Sequence, residues 1–69
     1  MVRNAIKQYL IQNGIKQTYL AEKIGMSAPI LSALLNGKRS FEIEEYISIC
    51  DALNLPYDYF MPVNNMKGA

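Results

Sequence analysis

Few side chains in this chain could carry out chemistry, and the familiar catalytic constellations are missing. There is no histidine, so neither a His-type general base nor a His-ligated metal can be assembled. Cys50 is the single cysteine and falls inside an apolar helical pattern. With no second thiol, neither a disulfide framework nor a zinc site is available, and a buried core thiol is expected. Glu44 and Glu45 are neighbours, hence about 100° apart around a helix, and cannot face one another as an acid/base pair. They suit the positive end of a helix instead. Tyr9, Tyr19, Tyr46, Tyr57 and Tyr59 follow the apolar stripes, so they form no stacking platform along one face. No glycine-rich phosphate loop occurs. The parts of an enzyme are absent, and no cofactor is expected.

What remains is a chain able to recognise rather than react. Its net charge of +1 conceals a division. Residues 1–39 carry Arg3, Lys7, Lys16, Lys23, Lys38 and Arg39 against Glu22 alone. Residues 40–69 carry Glu42, Glu44, Glu45, Asp51 and Asp58 against Lys67. An anion-facing end and an acidic end follow from that split.

Positioning those cations is a matter for helices. Val2, Ile6, Tyr9, Leu10 and Asn13 share a face, with Gly14 where a left-handed cap would sit. Ile11 points away from it. A second helix runs from about Gln17 to Ile24, with Leu20, Ala21 and Ile24 inward, and Gly25 ends it. Ser27 is a good N-cap for the third, Pro29 falls in its first turn where a missing N–H costs nothing, and Asn36-Gly37 closes it. Ile30, Leu31 and Leu34 make its expected inner stripe. The fourth, about Ile43 to Leu53, has a wide apolar arc (Ile43, Tyr46, Ile47, Ile49, Cys50, Leu53), as a helix packed on more than one side would. Asn54 ends it and Pro56 opens a short fifth helix through "YDYFM". Period-two alternation never lasts, so the fold class is all-α. One domain over 1–61 with a flexible tail over 62–69 is expected, because 69 residues leave no room for a second core. A chain this short buries only about 60% of its unfolded surface, and the 51% hydrophobic composition supplies what that requires.

Helices two and three are joined through Gly25-Met26 alone. A helix-turn-helix holds its helices at about 90–120° through such a turn. Gly25 permits the positive φ, Ala21 is small where the helices cross, and Leu20, Ile24, Met26, Leu31 and Leu34 line the crossing. In "IKQYLIQNGIKQTYLAEKIG", "LLNGKRS" and "ICDALNLPYDYF" the chain resembles the Cro/repressor-type helix-turn-helix family, the xenobiotic-response-element-like regulators of bacteria and phages. The likeness covers roughly residues 4–61. Leu35 stands where that family often has Glu, and Asn54 where it usually has Gly.

The resemblance implies a five-helix, lambda-repressor-like domain whose third helix enters the major groove of double-stranded DNA. It implies phosphate contacts from Gln17, with Lys16 and Thr18 near enough to help, and from Asn36, Lys38 and Arg39 in the loop. It also implies a small bacterial or mobile-element transcriptional regulator, a repressor acting in the cytoplasm. The departure lies in the reading face. Ser27, Ala28, Pro29, Ser32 and Ala33 are its base-facing positions, and none offers the bidentate Arg, Lys, Asn or Gln contact that separates base pairs by about 1–3 kcal/mol. Ser27, Ser32 and, at the helix end, Asn36 could hydrogen-bond; Ala28 and Pro29 could only touch thymine methyl groups. Two readings stay open. A smooth helix can sit deep in the groove and rely on methyl contacts, water and DNA shape. Alternatively, the outward patch beside Leu35 packs on protein, making the chain an anti-repressor or partner of another regulator. The retained "NGKRS", Lys16 and Gln17 favour DNA.

Family members usually dimerise, and no effector domain for a small molecule is present in this sequence. The dimer patch would be Tyr57, Tyr59, Phe60 and Met61 with part of the fourth helix; closure of the core by Phe60 and Tyr59 is an alternative of equal weight. Ile11 and Phe41 are further exposed apolar candidates. No apolar run approaches the roughly 20 residues that span a bilayer, so no membrane partner is expected.

Overall fold

Four helices, α1 (Val2–Gln12), α2 (Gln17–Lys23), α3 (Ala28–Leu35) and α4 (Ile43–Leu53), succeed one another in the computed structural model, which describes residues 2–61. The expected flexible tail over 62–69 lies outside the described residues. No described residue is in a strand, so the domain is all-α. α3 packs against both α1 and α2, and α4 against α2.

The helices stop where backbone chemistry makes them stop. After α2 the chain turns through Gly25 at φ +71°. The Gly25 N–H donates to the Glu22 carbonyl at 3.3 Å, and the Met26 N–H to that of Ala21 at 2.9 Å. This paired arrangement satisfies two terminal carbonyls and needs one left-handed residue. After α4 the same pair recurs, Asn54 N–H to Asp51 at 3.2 Å and Leu55 N–H to Cys50 at 2.9 Å. Here Asn54 takes the left-handed position at φ 60°. It is the described non-glycine residue with positive φ, and asparagine tolerates that region better than most side chains. At the other end of α4, Glu45 reaches back so that its Oε1 accepts from the Glu42 N–H at 2.9 Å.

The core gathers Ile6 and Leu10 from α1, Leu20 and Ala21 from α2, Leu31, Leu34 and Leu35 from α3, Tyr46, Ile49 and Cys50 from α4, and Phe60. Four expectations are corrected here. Leu35 is not part of an outward patch: it is buried, beside Arg3, Asn4 and Lys7 of α1. Positions 31, 34 and 35 share one helical face, whereas Ile30, expected inward, is 40% exposed. The most deeply buried helix face therefore belongs to α3. The arc of α4 is narrower than its apolar residues imply, since Ile43 is 59% exposed and Ile47 and Leu53 are half-buried.

The fourth correction concerns the fifth helix, which does not form. Residues 57–60 make successive tight turns, with the Tyr59 N–H donating to Pro56 at 3.0 Å and the Met61 N–H to Asp58 at 3.1 Å. A stretch confined between Pro56 and Pro62 is too short to repay helix nucleation, and a residue preceding proline is steered away from helical backbone. Packing decides the shape instead. The Phe60 ring meets Tyr9, Tyr46 and Tyr59 edge-to-face at centroid distances of 5.7, 6.5 and 5.0 Å. The Tyr46 hydroxyl donates to the Tyr57 carbonyl, and the Tyr57 hydroxyl to Asp51 Oδ1 at 2.8 Å. Phe60 thus closes the core, while Tyr57, Tyr59 and Met61 stay exposed.

Candidate nucleic-acid interface

The reading face belongs to α3, and short residues build it. Ser27 caps the helix, its Oγ accepting from the Ile30 N–H at 3.4 Å, and Pro29 lies in the first turn, where no helical N–H partner is lost. Ser27 and Pro29 are exposed, and Ala28, Ser32 and Ala33 are half-buried. No side chain among these five bears a charge or projects far from the backbone. The other face of the helix is occupied by Leu31, Leu34 and Leu35, so α3 can move only with the core.

At the C-terminal end of α3 a polar cluster forms that residue spacing alone does not reveal. The Asn36 side chain donates through Nδ2 to the Ser32 carbonyl at 2.9 Å and to Ser32 Oγ at 3.3 Å. Its Oδ1 accepts from Lys7 Nζ, on α1, at 2.7 Å. Arg3, one turn earlier on α1, donates through Nε to the Leu34 carbonyl at 2.9 Å and through a terminal nitrogen to the Arg39 carbonyl at 3.0 Å. Its guanidinium carbon lies 5.9 Å from the Phe41 ring centroid. α3 has no basic residue in its own last turn, where a cation favours the negative end of the helix. Arg3 and Lys7 supply it from another element. Their spacing of four residues on one face of α1 was the available signal, but their target could not be read without the fold.

Of the residues expected to meet phosphate, Lys38 and Arg39 are exposed in the loop after α3. Arg39 approaches Glu45 at 3.4 Å in an ion pair open to water. Such pairs are worth about 0–1 kcal/mol, so the guanidinium can exchange that partner for another anion at little cost. Lys16 and Thr18 are exposed and Gln17 half-buried at the start of α2. Among the described residues no side-chain hydrogen bond joins these three to α3 or its loop. Asn36 differs from the rest, because Ser32 and Lys7 engage both ends of its amide.

Cys50 is fully buried in the core. Burial pushes its thiol above the ordinary value of 9.0; the Tyr46 hydrogen bond opposes the shift and the nearby Asp51 charge adds to it. A protonated, enclosed thiol is a poor nucleophile. No described helix is long and apolar enough to cross a membrane.

Two helices hinged at Gly25-Met26, the second offering an uncharged outer face and flanked by a basic loop, define a helix-turn-helix DNA-binding domain. The chain matches the helix-turn-helix family HTH_3 over residues 6–60 and belongs to it, among the Cro/C1-type, xenobiotic-response-element-like proteins. Neither a curated protein nor a solved structure matches the chain. Family membership makes DNA its partner and transcriptional regulation its field of action; the family is not enzymatic.

Proposed function

We propose that this chain is a small transcriptional repressor of bacterial or mobile-element origin that binds double-stranded DNA with modest sequence preference. α3 lies in the major groove, with Ser27, Ala28, Pro29, Ser32 and Ala33 against base edges. Lys16, Gln17 and Thr18 on one side, and Lys38 and Arg39 on the other, hold the phosphates; Asn36 takes part through Ser32 and Lys7. The carrying observation is the α3 outer face itself, smooth and uncharged, next to cations that belong to loops and to α1. A helix of that shape lets its backbone approach the groove floor, so that backbone contacts position the protein and a few hydroxyl and methyl contacts specify. About five phosphate contacts make a single domain a weak, salt-sensitive binder. Two copies joined through the exposed Tyr57, Tyr59 and Met61 would place their α3 helices one turn apart, about 34 Å, on a palindromic site.

The test is selection from random duplexes at moderate salt. An enriched palindrome with half-sites about one turn apart supports a dimeric, site-preferring regulator. Binding that disappears with salt and enriches no sequence overturns site preference and turns attention to a protein partner. Within the enriched site, Arg39→Ala should weaken all sequences alike, and Ser32→Ala should change the ranking among them. Equal losses on every sequence for both variants would remove Ser32 from the reading face.

A further inference from the structure

Sequence preference on so plain a helix depends on how its few polar groups are aimed. Ser32 is half-buried on α3 and carries one hydroxyl hydrogen and two lone pairs. A serine inside a helix commonly turns its hydrogen back onto the carbonyl four residues earlier. No such bond from Ser32 to Ala28 occurs among the described residues. Instead Ser32 Oγ accepts, at 3.3 Å, from Asn36 Nδ2, which also donates to the Ser32 carbonyl at 2.9 Å. With a lone pair committed to Asn36, the hydroxyl hydrogen is directed away from it.

Asn36 can act this way only if its amide is held nitrogen-first toward Ser32. The Ser32 carbonyl, which accepts from the same nitrogen, and Lys7, which donates to the amide oxygen, hold that orientation from its two ends. The Lys7 ammonium has donors only, and it lies 2.7 Å from Asn36 Oδ1, so a flipped amide would set two donors against each other. The three groups link α1 to α3 through the Asn36 cap, beside a cleft of about 230 Å³ lined also by Arg3 and Gly37. Of the residues lining this cleft, Arg3 and Lys7 carry positive charge and none carries negative charge.

From this geometry we infer that Lys7, on α1 and outside the reading face, is a positioning residue for base recognition: through Asn36 it presents the Ser32 hydroxyl to DNA as a hydrogen-bond donor. This inference rests on the DNA-binding reading above. A donor at that point donates to guanine O6 or N7, adenine N7 or thymine O4, and opposes the amino group of cytosine. The base facing Ser32 is therefore preferentially guanine, adenine or thymine on the strand it contacts; the second Ser32 lone pair leaves cytosine disfavoured rather than excluded. The discrimination is that of a single neutral hydrogen bond, about two- to tenfold between sites.

The experiment is the same duplex selection, run with wild type, Ser32→Ala, Lys7→Met and Lys7→Arg. Lys7→Met keeps the aliphatic stem and removes the donor; Lys7→Arg keeps a donor and the charge. Wild type should deplete cytosine about two- to tenfold at one position per half-site. Ser32→Ala and Lys7→Met should both relieve that depletion, leaving the rest of the profile unchanged, and Lys7→Arg should restore it. The Ser32→Ala, Lys7→Met double variant should show no further loss at that position, since both act through one hydroxyl. In free protein, the Asn36 side-chain amide resonances should shift in Lys7→Met and return in Lys7→Arg. A Lys7→Met profile identical to wild type, with affinity reduced equally on all duplexes, would overturn the inference and leave Lys7 as a charge only. Altered preference at a position different from that changed by Ser32→Ala would also overturn it. Failure of the wild type to enrich any duplex would instead reject site-preferring recognition itself, and the inference with it.

Discussion

Single side chains in this domain do work that their sequence neighbours do not announce. Arg3 reads as a surface cation near the chain start, yet its guanidinium joins the last turn of α3 to the Arg39 carbonyl. Hydrogen bonds from a charged donor are worth about 1.5–3 kcal/mol. Arg3→Met should lower unfolding stability by an amount of that order in urea titration, with little change in the slope against denaturant. A loss no larger than a surface lysine-to-methionine change would show that solvent replaces the cap freely. Cys50 illustrates the opposite case, a reactive residue type made inert by its surroundings. Its folded thiol titrates above its ordinary value of 9.0, chiefly because of burial. The raised value favours the protonated folded form, so its contribution is complete below pH 9.0 and is lost as pH rises through the folded value. Tyr46, pushed above 10.0 by burial first and then by its hydrogen bond with Cys50, declines in the same direction. Stability should therefore be level near neutrality and fall at alkaline pH, less steeply in Cys50→Ala. An unchanged slope in that variant would assign the alkaline loss to other groups.

At the scale of elements, ends were more legible than faces. Ser27, Pro29, Gly25 and Asn54 each announce a boundary through backbone preference, which acts within a few residues and needs no tertiary partner. α3 and α4 accordingly fall where their caps put them. The position of Asn54 carries a prediction. Asparagine occupies φ 60° at a cost that glycine avoids. Asn54→Gly should stabilise the domain by about 0.5–1 kcal/mol, and Asn54→Ala should destabilise it by a similar amount, both readable as shifts in Tm. Destabilisation by glycine would mean that the asparagine side chain contributes more than its strain costs. Faces were harder. Ile30 and Leu35 are both apolar, and helical periodicity ranks them nearly alike. Which one is buried depends on the side from which α1 approaches α3, and periodicity holds no information on that approach.

For the whole molecule the decisive residue is Phe60. The segment that carries it has no regular structure, but its ring is 7% exposed and contacts aromatic residues from α1 and α4. Removing a buried phenylalanine costs about 3–5 kcal/mol, comparable with the entire stability of a domain this small. Phe60→Ala should leave the chain largely unfolded by circular dichroism at 25 °C. Met61→Ser, one residue later and 41% exposed, should leave thermal stability nearly unchanged while weakening self-association in sedimentation equilibrium. A monomer–dimer equilibrium indifferent to Met61→Ser and to changes at Tyr57 or Tyr59 would place any dimer contact elsewhere on the surface.

The sequence by itself determined the all-α class, the four helices, the turn at Gly25-Met26, the plain outer face of α3 and the family. All of these follow from local backbone preference, apolar period and motif spacing, which operate over short separations. Only the tertiary structure decided that α1 caps α3 through Arg3, that Lys7 reaches Asn36, that Leu35 is core, and that Phe60 is buried from a run of turns rather than a helix. Those outcomes join residues from 29 to 36 positions apart, or set a single ring against two helices. The burial of apolar surface that drives such contacts is non-directional. It selects a partner only once the helices have taken their places around one another.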